Sequence, residues 1–293
     1  PFQGPGEVHA VLEQDFRGHM MAKAAVEMGM WGVEAERLQI PLARLIGGTR
    51  EEIPVGISLG IQATPEKLVE KAGAALAEGY RKIKIKIKPG KDVAYVRAVR
   101  EAFPTAPIMA DANNAYTLDT ADALVAMDDL DLMMFEQPLD WEDIVRHREL
   151  QSRLKTPICL DESITSLDRA QDMVTLGAGR IINIKPGRVG GFGPSLAIHD
   201  FCEANGVPVW CGGMLESGIG RAYNVALASL PNFQKPGDVS PSARYWARDV
   251  VTPEWTMTPE GMVKVPLDRP GLGVTIDVGR IDDLTVRLER LGE

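Results

Sequence analysis

A polar residue at the end of an apolar run recurs along this chain at nearly constant spacing. These residues stand 25, 25 and 24 positions apart, at Asp111, Glu136, Asp161 and Lys185. Amphipathic helical stretches fill the intervals, and an alternation of strands with helices implies a parallel sheet. So regular a repeat favours a sheet closed into a (β/α) barrel over an open, doubly wound sheet. The GxGxxG loop of a dinucleotide-binding sheet is absent.

Strands and helices can be predicted one by one from the residue pattern. The strands are Ile53–Gly60, Lys82–Ile87, Ile108–Asn113, Leu132–Leu139, Pro157–Glu162, Ile181–Pro186 and Pro208–Gly213. The helices between them include Pro65–Gly79, Val93–Phe103, Asp119–Asp128, Ser166–Leu176 and Ser195–Asn205. A closed barrel needs an eighth strand, which we predict near Phe233–Val239.

The chain is predicted to divide into three regions. Residues 1–50 form a helical stretch, residues 51–245 form the barrel, and residues 246–293 form a C-terminal segment that packs outside it. Alternating apolar residues from Val263 to Ile276 indicate a short β element in the last region.

Composition excludes several classes of function. The net charge of −9 argues against nucleic acid or an anionic membrane as the main partner. The sequence contains no run of about 18 apolar residues, so it predicts no transmembrane helix. The 3 cysteines lack the CxxC spacing of a metal site, so we expect reduced thiols in a cytoplasmic protein. Cys159 and Cys211 lie in apolar runs and are predicted to be buried.

The three recurring acids predict a metal site. In a (β/α) barrel, the carboxyl ends of the strands form the mouth where active sites lie. Asp111, Glu136 and Asp161 would therefore lie side by side there, each after an apolar run. Three close, poorly solvated carboxylates repel and take up protons unless a cation neutralises them. Their oxygens suit Mg2+, or another divalent cation such as Mn2+.

Lysines are predicted to flank this site on two sides. The segment KIKIKIK from Lys82 to Lys88 alternates strictly, so its lysines share one face, which we expect to point into the barrel. Lys86 would then reach the mouth with Lys84 beneath it. Lys185 ends the sixth strand, which lies opposite the second in a ring of eight. Two lysines would thus face a substrate from opposite sides, one removing a proton and the other returning it.

Together these motifs resemble the muconate-lactonizing subgroup of the enolase superfamily. The similarity is strongest to o-succinylbenzoate synthases and N-acylamino-acid racemases, and it covers nearly the whole chain. The motifs are KIK at 84–86, DAN at 111–113, EQP at 136–138, PICLDES at 157–163, NIKPGRVGG at 183–191, PVWCGGM at 208–214 and VALASLPNF at 225–233.

The resemblance implies a (β/α)7β TIM-like barrel and a role for each site residue. Asp111, Glu136 and Asp161 would be the metal ligands, Lys86 and Lys185 the acid–base pair, and Lys84 an auxiliary lysine. In a synthase of menaquinone biosynthesis, Lys86 starts a dehydration and Lys185 stabilises the enolate; in a racemase both lysines exchange protons. The residues that the resemblance assigns to the pocket of a small carboxylate substrate are Ser58, Asn113, Gly213, Met214, Leu215 and Tyr245.

Family members also carry an N-terminal capping domain. The resemblance implies that this domain is largely absent from this chain, with residues 1–50 as the linking helices and the remnant of its junction. Such barrels usually form homo-oligomers. The nearest alternative is a dipeptide epimerase, which places a DxD pair on the eighth strand to hold an ammonium group. The region from Lys235 to Ser240 lacks that pair, which favours an N-acylated substrate. Muconate cycloisomerase resembles the chain less. A catalytically silent barrel used for binding is the alternative from another class.

Overall fold

The fold is a curled parallel sheet wrapped by helices, described for residues 4–290 in a computed structural model. The strands are β1 (Glu52–Pro54), β2 (Gly56–Leu59), β3 (Lys82–Lys86), β4 (Ile108–Asp111), β5 (Phe135–Glu136), β6 (Ile158–Leu160), β7 (Ile181–Ile184), β8 (Val209–Cys211), β9 (Val251–Thr252), β10 (Met262–Lys264) and β11 (Thr275–Ile276). Strands β2 to β8 lie side by side in chain order, all parallel. The predicted barrel is confirmed.

Helices follow most of the strands and cover the outside of the sheet. They are α1 (Val8–Asp15), α2 (Met20–Leu38), α3 (Leu42–Leu45), α4 (Pro65–Ala77), α5 (Val93–Ala102), α6 (Asp122–Val125), α7 (Val145–Arg153), α8 (Leu167–Leu176), α9 (Pro186–Val189), α10 (Phe192–Ala204), α11 (Gly218–Ala228) and α12 (Val278–Leu284). Short 3-10 helices lie at Pro5–Glu7, Leu118–Thr120 and Ser242–Arg244. Among the described residues, none of these helices has both the length and the apolar character needed to cross a membrane.

An irregular segment, residues 232–238, closes the barrel between its first and last strands. On one side, the Val209 amide of β8 donates to Asn232 O at 3.1 Å. On the other side, the Gly56 amide of β2 donates to Gly237 O at 2.7 Å. The predicted eighth strand is therefore present as the closing segment, with isolated bridges in place of a regular ladder.

Strand register sets the relative height of the inward side chains. Lys86 on β3 lies opposite Asp111 on β4, and Asp111 lies opposite Glu136 on β5. Glu136 lies opposite Cys159 on β6, so Asp161, two residues further on, projects from the same face one step nearer the mouth. Consecutive strands thus present their polar side chains to one shared space.

Two apolar clusters support the sheet. The larger lies between the outer face of the sheet and the helices. The smaller fills the bottom of the barrel, and we call it the barrel floor; its buried members are Met109, Met134, Cys159, Ile181 and Trp210. Because the floor is apolar and closely filled, the inward polar groups stand above or beside it, towards the mouth.

Several predicted elements are shorter or more divided than expected. The predicted strand at 53–60 is two strands, because β1 pairs antiparallel with β10 while β2 joins the barrel. The predicted helix at 119–128 is a 3-10 turn followed by the four-residue helix α6. Thr117 and Thr120 hydrogen-bond to each other's backbone there and favour the tighter turn.

Within residues 4–290, both terminal regions agree with the expected secondary structure; the outermost parts of the predicted regions 1–50 and 246–293 lie outside the described residues. The N-terminal region is helical, in α1 to α3. The C-terminal region contributes β10 to a pair with β1, and β9 and β11 pair with each other. The boundaries after residues 50 and 245 stay predictions. Cys159, Cys202 and Cys211 are all buried, which confirms the burial predicted for Cys159 and Cys211.

We predict that His147 makes stability fall as the pH drops from 6.5 to 4. This fully buried ring accepts the Leu139 amide hydrogen at 3.1 Å, and burial lowers its pKa to about 4. Unfolding returns the pKa to 6.5, so between these values the unfolded state binds the proton and is favoured. At 1.36 kcal/mol per pKa unit, the loss is roughly 3 kcal/mol.

Urea unfolding of the wild type and of His147→Gln across this pH range measures that contribution. The variant should lack this part of the pH dependence, whereas His19→Gln, at an exposed histidine, should keep it. Parallel curves for the wild type and His147→Gln would contradict the assignment.

Candidate active site

Three carboxylates form a row across neighbouring strands at the mouth. Asp111 ends β4, Glu136 ends β5 and Asp161 follows β6 directly. They are exposed by only 1%, 0% and 1%. Lys86 stands at one end of the row and Lys185 at the other, so the structure brings together all five residues predicted to carry the chemistry.

Lys84 lies below the row and contacts three carboxylates. Its Nζ is 3.2 Å from Glu136 Oε2 and 3.3 Å from Asp111 Oδ2. A fourth acid, Asp238 of the closing segment, is nearer still, with Oδ2 2.7 Å away. Burial lowers the pKa of Lys84, but Asp238, Glu136 and Asp111 outweigh burial and raise it well above its ordinary value. Lys84 is therefore a fixed cation.

The two flanking lysines pair with the outer acids of the row. Lys86 Nζ is 2.6 Å from Asp111 Oδ2 and also donates to Asn113 Oδ1. Lys185 Nζ is 2.7 Å from Asp161 Oδ2. Burial lowers the pKa of Lys185, but the Asp161 carboxylate outweighs it, so the net shift is upward. In this arrangement Lys185 is held protonated.

The pKa of Glu136, the middle acid of the row, is shifted in the opposite direction from those of Asp111 and Asp161. Burial, then the charge of Asp111, raises the pKa of Glu136 well above its usual range. Burial acts in the same direction on Asp111 and Asp161, yet the pKa of each is lowered. Lys84 and Lys86 are responsible at Asp111, and Arg188 and Lys185 at Asp161. Proton uptake by crowded carboxylates is thus expected at the middle position only.

The carboxylate row has the chemistry of a magnesium site. Its three side chains offer oxygen ligands from adjacent strands, are almost fully buried and already pair with lysine ammonium groups. A divalent cation would take over the charge compensation that the lysines provide here. Among the described residues, a tighter cluster of metal-type side chains lies elsewhere, on α10 at His199, Asp200 and Glu203. His199 Nε2 there already accepts the Asn232 amide hydrogen.

The residues assigned to the substrate pocket surround the row unevenly. Asn113 connects the two ends of the acid row, since it accepts from Lys86 at one end and donates at 3.0 Å to Oε1 of Glu162, the residue after Asp161, at the other. Ser58 lies beside Lys84 in the strand register. Gly213 follows β8, where a Cβ would lie 2.6 Å from Asp238 O.

Three further pocket residues are exposed at the rim. Met214 and Leu215 are exposed by 41% and 67%, in the loop after β8. Tyr245 is 37% exposed and lies beside Arg221 and Arg244. A cavity of about 720 Å3 opens between Met214 and the start of α2, with Asp161, Glu162, Lys185 and Arg188 in its wall.

Several residues of the polar network escaped prediction. Arg188 donates to Asp161 Oδ1, and through Nε to Ile164 O at 2.6 Å. Asn183 donates to Glu136 Oε1 at 2.8 Å. Asn183 precedes Lys185 by two residues and so faces the same way, a signal that was available in the strand pattern. Arg188 lies on the short helix α9, where no periodicity indicates its direction.

The lysine alternation was predicted correctly for three of its four members. Lys82, Lys84 and Lys86 all point into the barrel from β3, with Lys82 0% exposed. The prediction that Lys88 also points into the barrel is wrong. The strand ends at Lys86, and Lys88 is an exposed turn residue that bridges to Lys91.

Family comparisons agree with this architecture. The model for the C-terminal domain described as enolase C-terminal domain-like matches residues 67–280. The model for the N-terminal domain of mandelate racemase / muconate lactonizing enzyme matches residues 6–47, the stretch predicted as linking helices. The chain belongs to the enolase superfamily.

Within this superfamily, the chain is similar to proteins of two named activities and to a solved structure. An o-succinylbenzoate synthase of Geobacillus kaustophilus is 52% identical over 269 residues, which cover 92% of this chain and 71% of that protein. An N-succinylamino acid racemase of Thermus thermophilus is 47% identical over 271 residues, covering 92% and 73%. A crystal structure of an enolase-superfamily protein from Listeria innocua has a TM-score of 0.93 at 42% identity, covering 97% of this chain and 76% of that one.

We predict that Gly212→Ala destabilises the protein by about 1–3 kcal/mol, the usual cost of overpacking. Gly212 follows β8 on the inner face, and an added Cβ would overlap the Asn183 amide and lie 2.6 Å from Lys185 Cε. Urea unfolding measures the change. Gly60→Ala is the matched control, because a Cβ there meets nothing within 4 Å. Equal stability of the two variants would contradict the described positions of Asn183 and Lys185.

Proposed function

We propose that this chain removes the proton on the carbon next to a carboxylate, as an o-succinylbenzoate synthase, an N-succinylamino-acid racemase or both. One observation carries the proposal: two lysines stand at the two ends of a buried row of three carboxylates. The sequence similarity to relatives of both names supports it. The joint presence of all five residues in one mouth speaks against a catalytically silent barrel.

The sheet order places the two lysines on opposite sides of the barrel. Lys86 ends the second strand of the ring, and Lys185 directly follows the sixth. With the closing segment as the eighth member, these positions are four steps apart. A substrate whose carboxylate lies over the acid row would therefore present its α-carbon between the two ammonium groups. Racemisation requires this two-sided access, because the proton leaves one face and returns to the other.

The same acids can serve a cation. Asp111, Glu136 and Asp161 would hold Mg2+, which when bound would stabilise negative charge on the substrate carboxylate as the α-proton leaves. Lys84 adds a fixed positive charge beneath the row, in surroundings where water screens it little.

The protonation state of Lys185 follows from its partner. A lysine acts as a base only when neutral, and the pairing of Lys185 with Asp161 opposes that state. When the Asp161 oxygens are engaged elsewhere, burial and the charge of Arg188 favour the neutral form of Lys185. A cation on the carboxylate row would thus prepare Lys185 for proton transfer.

An N-acylated substrate fits the mouth better than one with a free ammonium group. The acid in the eighth-strand region is Asp238, and it is 8% exposed. Both of its oxygens face lysines, Oδ1 at 3.1 Å from Lys82 and Oδ2 at 2.7 Å from Lys84. Both oxygens are therefore already ion-paired with lysines of this chain, which disfavours binding of a substrate ammonium and hence dipeptide epimerisation. We also propose a cytoplasmic homo-oligomer acting on small carboxylates, with menaquinone biosynthesis as the setting of the synthase reaction.

Proton exchange at the α-carbon tests the function directly. We expect N-succinyl-phenylalanine of either configuration to lose its α-proton signal in D2O, by proton NMR, with Mg2+ present and not with EDTA. Formation of o-succinylbenzoate from its hydrated precursor, followed by absorbance, tests the synthase activity. The absence of both reactions at saturating Mg2+ would refute the proposal.

Lys185→Ala should separate the two faces of the site. We expect racemisation to fall by about 10²–10⁴-fold, the usual contribution of a general acid–base group. Exchange should persist for the one enantiomer whose α-hydrogen faces Lys86. Lys155→Ala, at an exposed lysine, should behave as the wild type. Equal exchange from both enantiomers in Lys185→Ala would contradict the two-sided arrangement.

A further inference from the structure

The ion pair between Lys82 and Asp238 lies beneath the acid row and takes no part in the proposed proton transfers. Lys82 is 0% exposed, and its Nζ lies 3.5 Å from the ring centroid of Trp210. The same Nζ is 3.1 Å from Asp238 Oδ1, an ion pair without the direction of a hydrogen bond. A lysine in an apolar floor carries a large desolvation cost, so its presence there requires an explanation.

The fold makes room for this lysine. Gly56 on β2 faces Lys82 in the strand register, and a Cβ at Gly56 would overlap Lys82 Cε. The indole Nε1 of Trp210 donates to Cys159 Sγ at 3.2 Å, which fixes the ring under the ammonium group. Ring and strand thus hold Lys82 in one place.

Asp238 is held equally firmly. Its amide donates to Cys211 O at 2.9 Å, and its carbonyl accepts from Arg221 Nη1 at 2.9 Å. The carboxylate therefore has a fixed position in the closing segment. Burial would raise its pKa, but Lys82 and Lys84 lower it far below the usual range, so it is an anion.

Lys84 contacts carboxylates both below it and above it. Its shortest contact, 2.7 Å, points down to Asp238 Oδ2. The contacts upward to Glu136 and Asp111 are 3.2 and 3.3 Å. Glu136 and Asp111 are two of the acids that would hold a cation, so a lysine held closer to their oxygens would compete with it. The lower contact restrains Lys84 from doing so.

We propose that Asp238, itself fixed by Lys82, is a positioning residue that holds Lys84 below the acid row and keeps Asp111 and Glu136 available to a divalent cation. This inference rests on the proposed function, because it takes the row to be a cation site. It predicts that Lys82 and Asp238 affect metal binding by geometry and not through their net charge, which is zero.

Two variants separate geometry from charge and stability. Lys82→Met leaves Asp238 on Lys84 but removes the partner of Oδ1, so the melting temperature should fall while Mn2+ binding is not weakened. Lys82→Met with Asp238→Leu replaces the whole pair by apolar side chains and keeps the interior charge, so the melting temperature should recover. In this double variant Lys84 loses its lower partner, and the Mn2+ dissociation constant should rise about 10–100-fold.

Free Mn2+, counted by electron paramagnetic resonance during a titration, gives the dissociation constant without an activity assay. Asp249→Asn is the control, a change at a carboxylate 4% exposed that accepts the Gly218 amide hydrogen and the Ser242 hydroxyl hydrogen and pairs with none of the strand lysines among the described residues. It should lower stability and leave Mn2+ binding within twofold of the wild type. If this double variant does not fold, Lys82→Met with Asp238→Asn, which also keeps the interior charge, must show the same rise in the dissociation constant.

The outcomes distinguish the two proposals. Wild-type Mn2+ affinity in the double variant, or in Lys82→Met with Asp238→Asn where the first double variant is unfolded, would overturn the positioning role and leave the proposed function intact. A wild-type chain that binds no Mn2+ would overturn both. Weaker Mn2+ binding in Lys82→Met than in the double variant would also refute the inference, since it would make Lys82 itself the determinant.

Discussion

Charge pairing in a nearly dry interior fixes the geometry of this molecule's mouth. Four carboxylates and five cations share the space, at Asp111, Glu136, Asp161, Asp238, Lys82, Lys84, Lys86, Lys185 and Arg188. Any of the buried charges left alone would cost several kcal/mol. Each is therefore stable only while its partners stay in place, and the strands that carry the partners are held in register with it.

The barrel supplies this arrangement through simple repetition. Because parallel strands in chain order are direct neighbours, residues one repeat apart become adjacent side chains at one rim. The apolar floor beneath them keeps water out from below. The irregular closing segment contributes Asp238, which a regular strand pattern would not single out. Chemistry at the rim thus depends on both the repeating and the non-repeating parts of the ring.

Much of the fold and of the site could be predicted from residue patterns, and the failures have physical reasons. The recurring acids and the lysine alternation were sufficient for the barrel, the acid row and the opposed lysines. Asp238 and Arg188 were missed because they lie on segments without periodicity, where neighbours in space are remote in sequence. Lys88 was misplaced because alternation alone does not mark where a strand ends. The helix at 119–128 failed because side chains of Thr117 and Thr120 bond locally to the backbone.

Two inward positions of the barrel wall carry no side chain. At Gly56 and Gly212 the space is already occupied by lysine and asparagine groups of neighbouring strands. A larger side chain at either point would therefore displace Lys82, or the Asn183 and Lys185 groups beside the acid row. The rim, where Met214, Leu215 and Tyr245 are exposed, has room for other side chains without such a displacement. Substitutions at the rim can therefore change which substrate fits this barrel, while the lysines and acids that carry the proton chemistry stay in place.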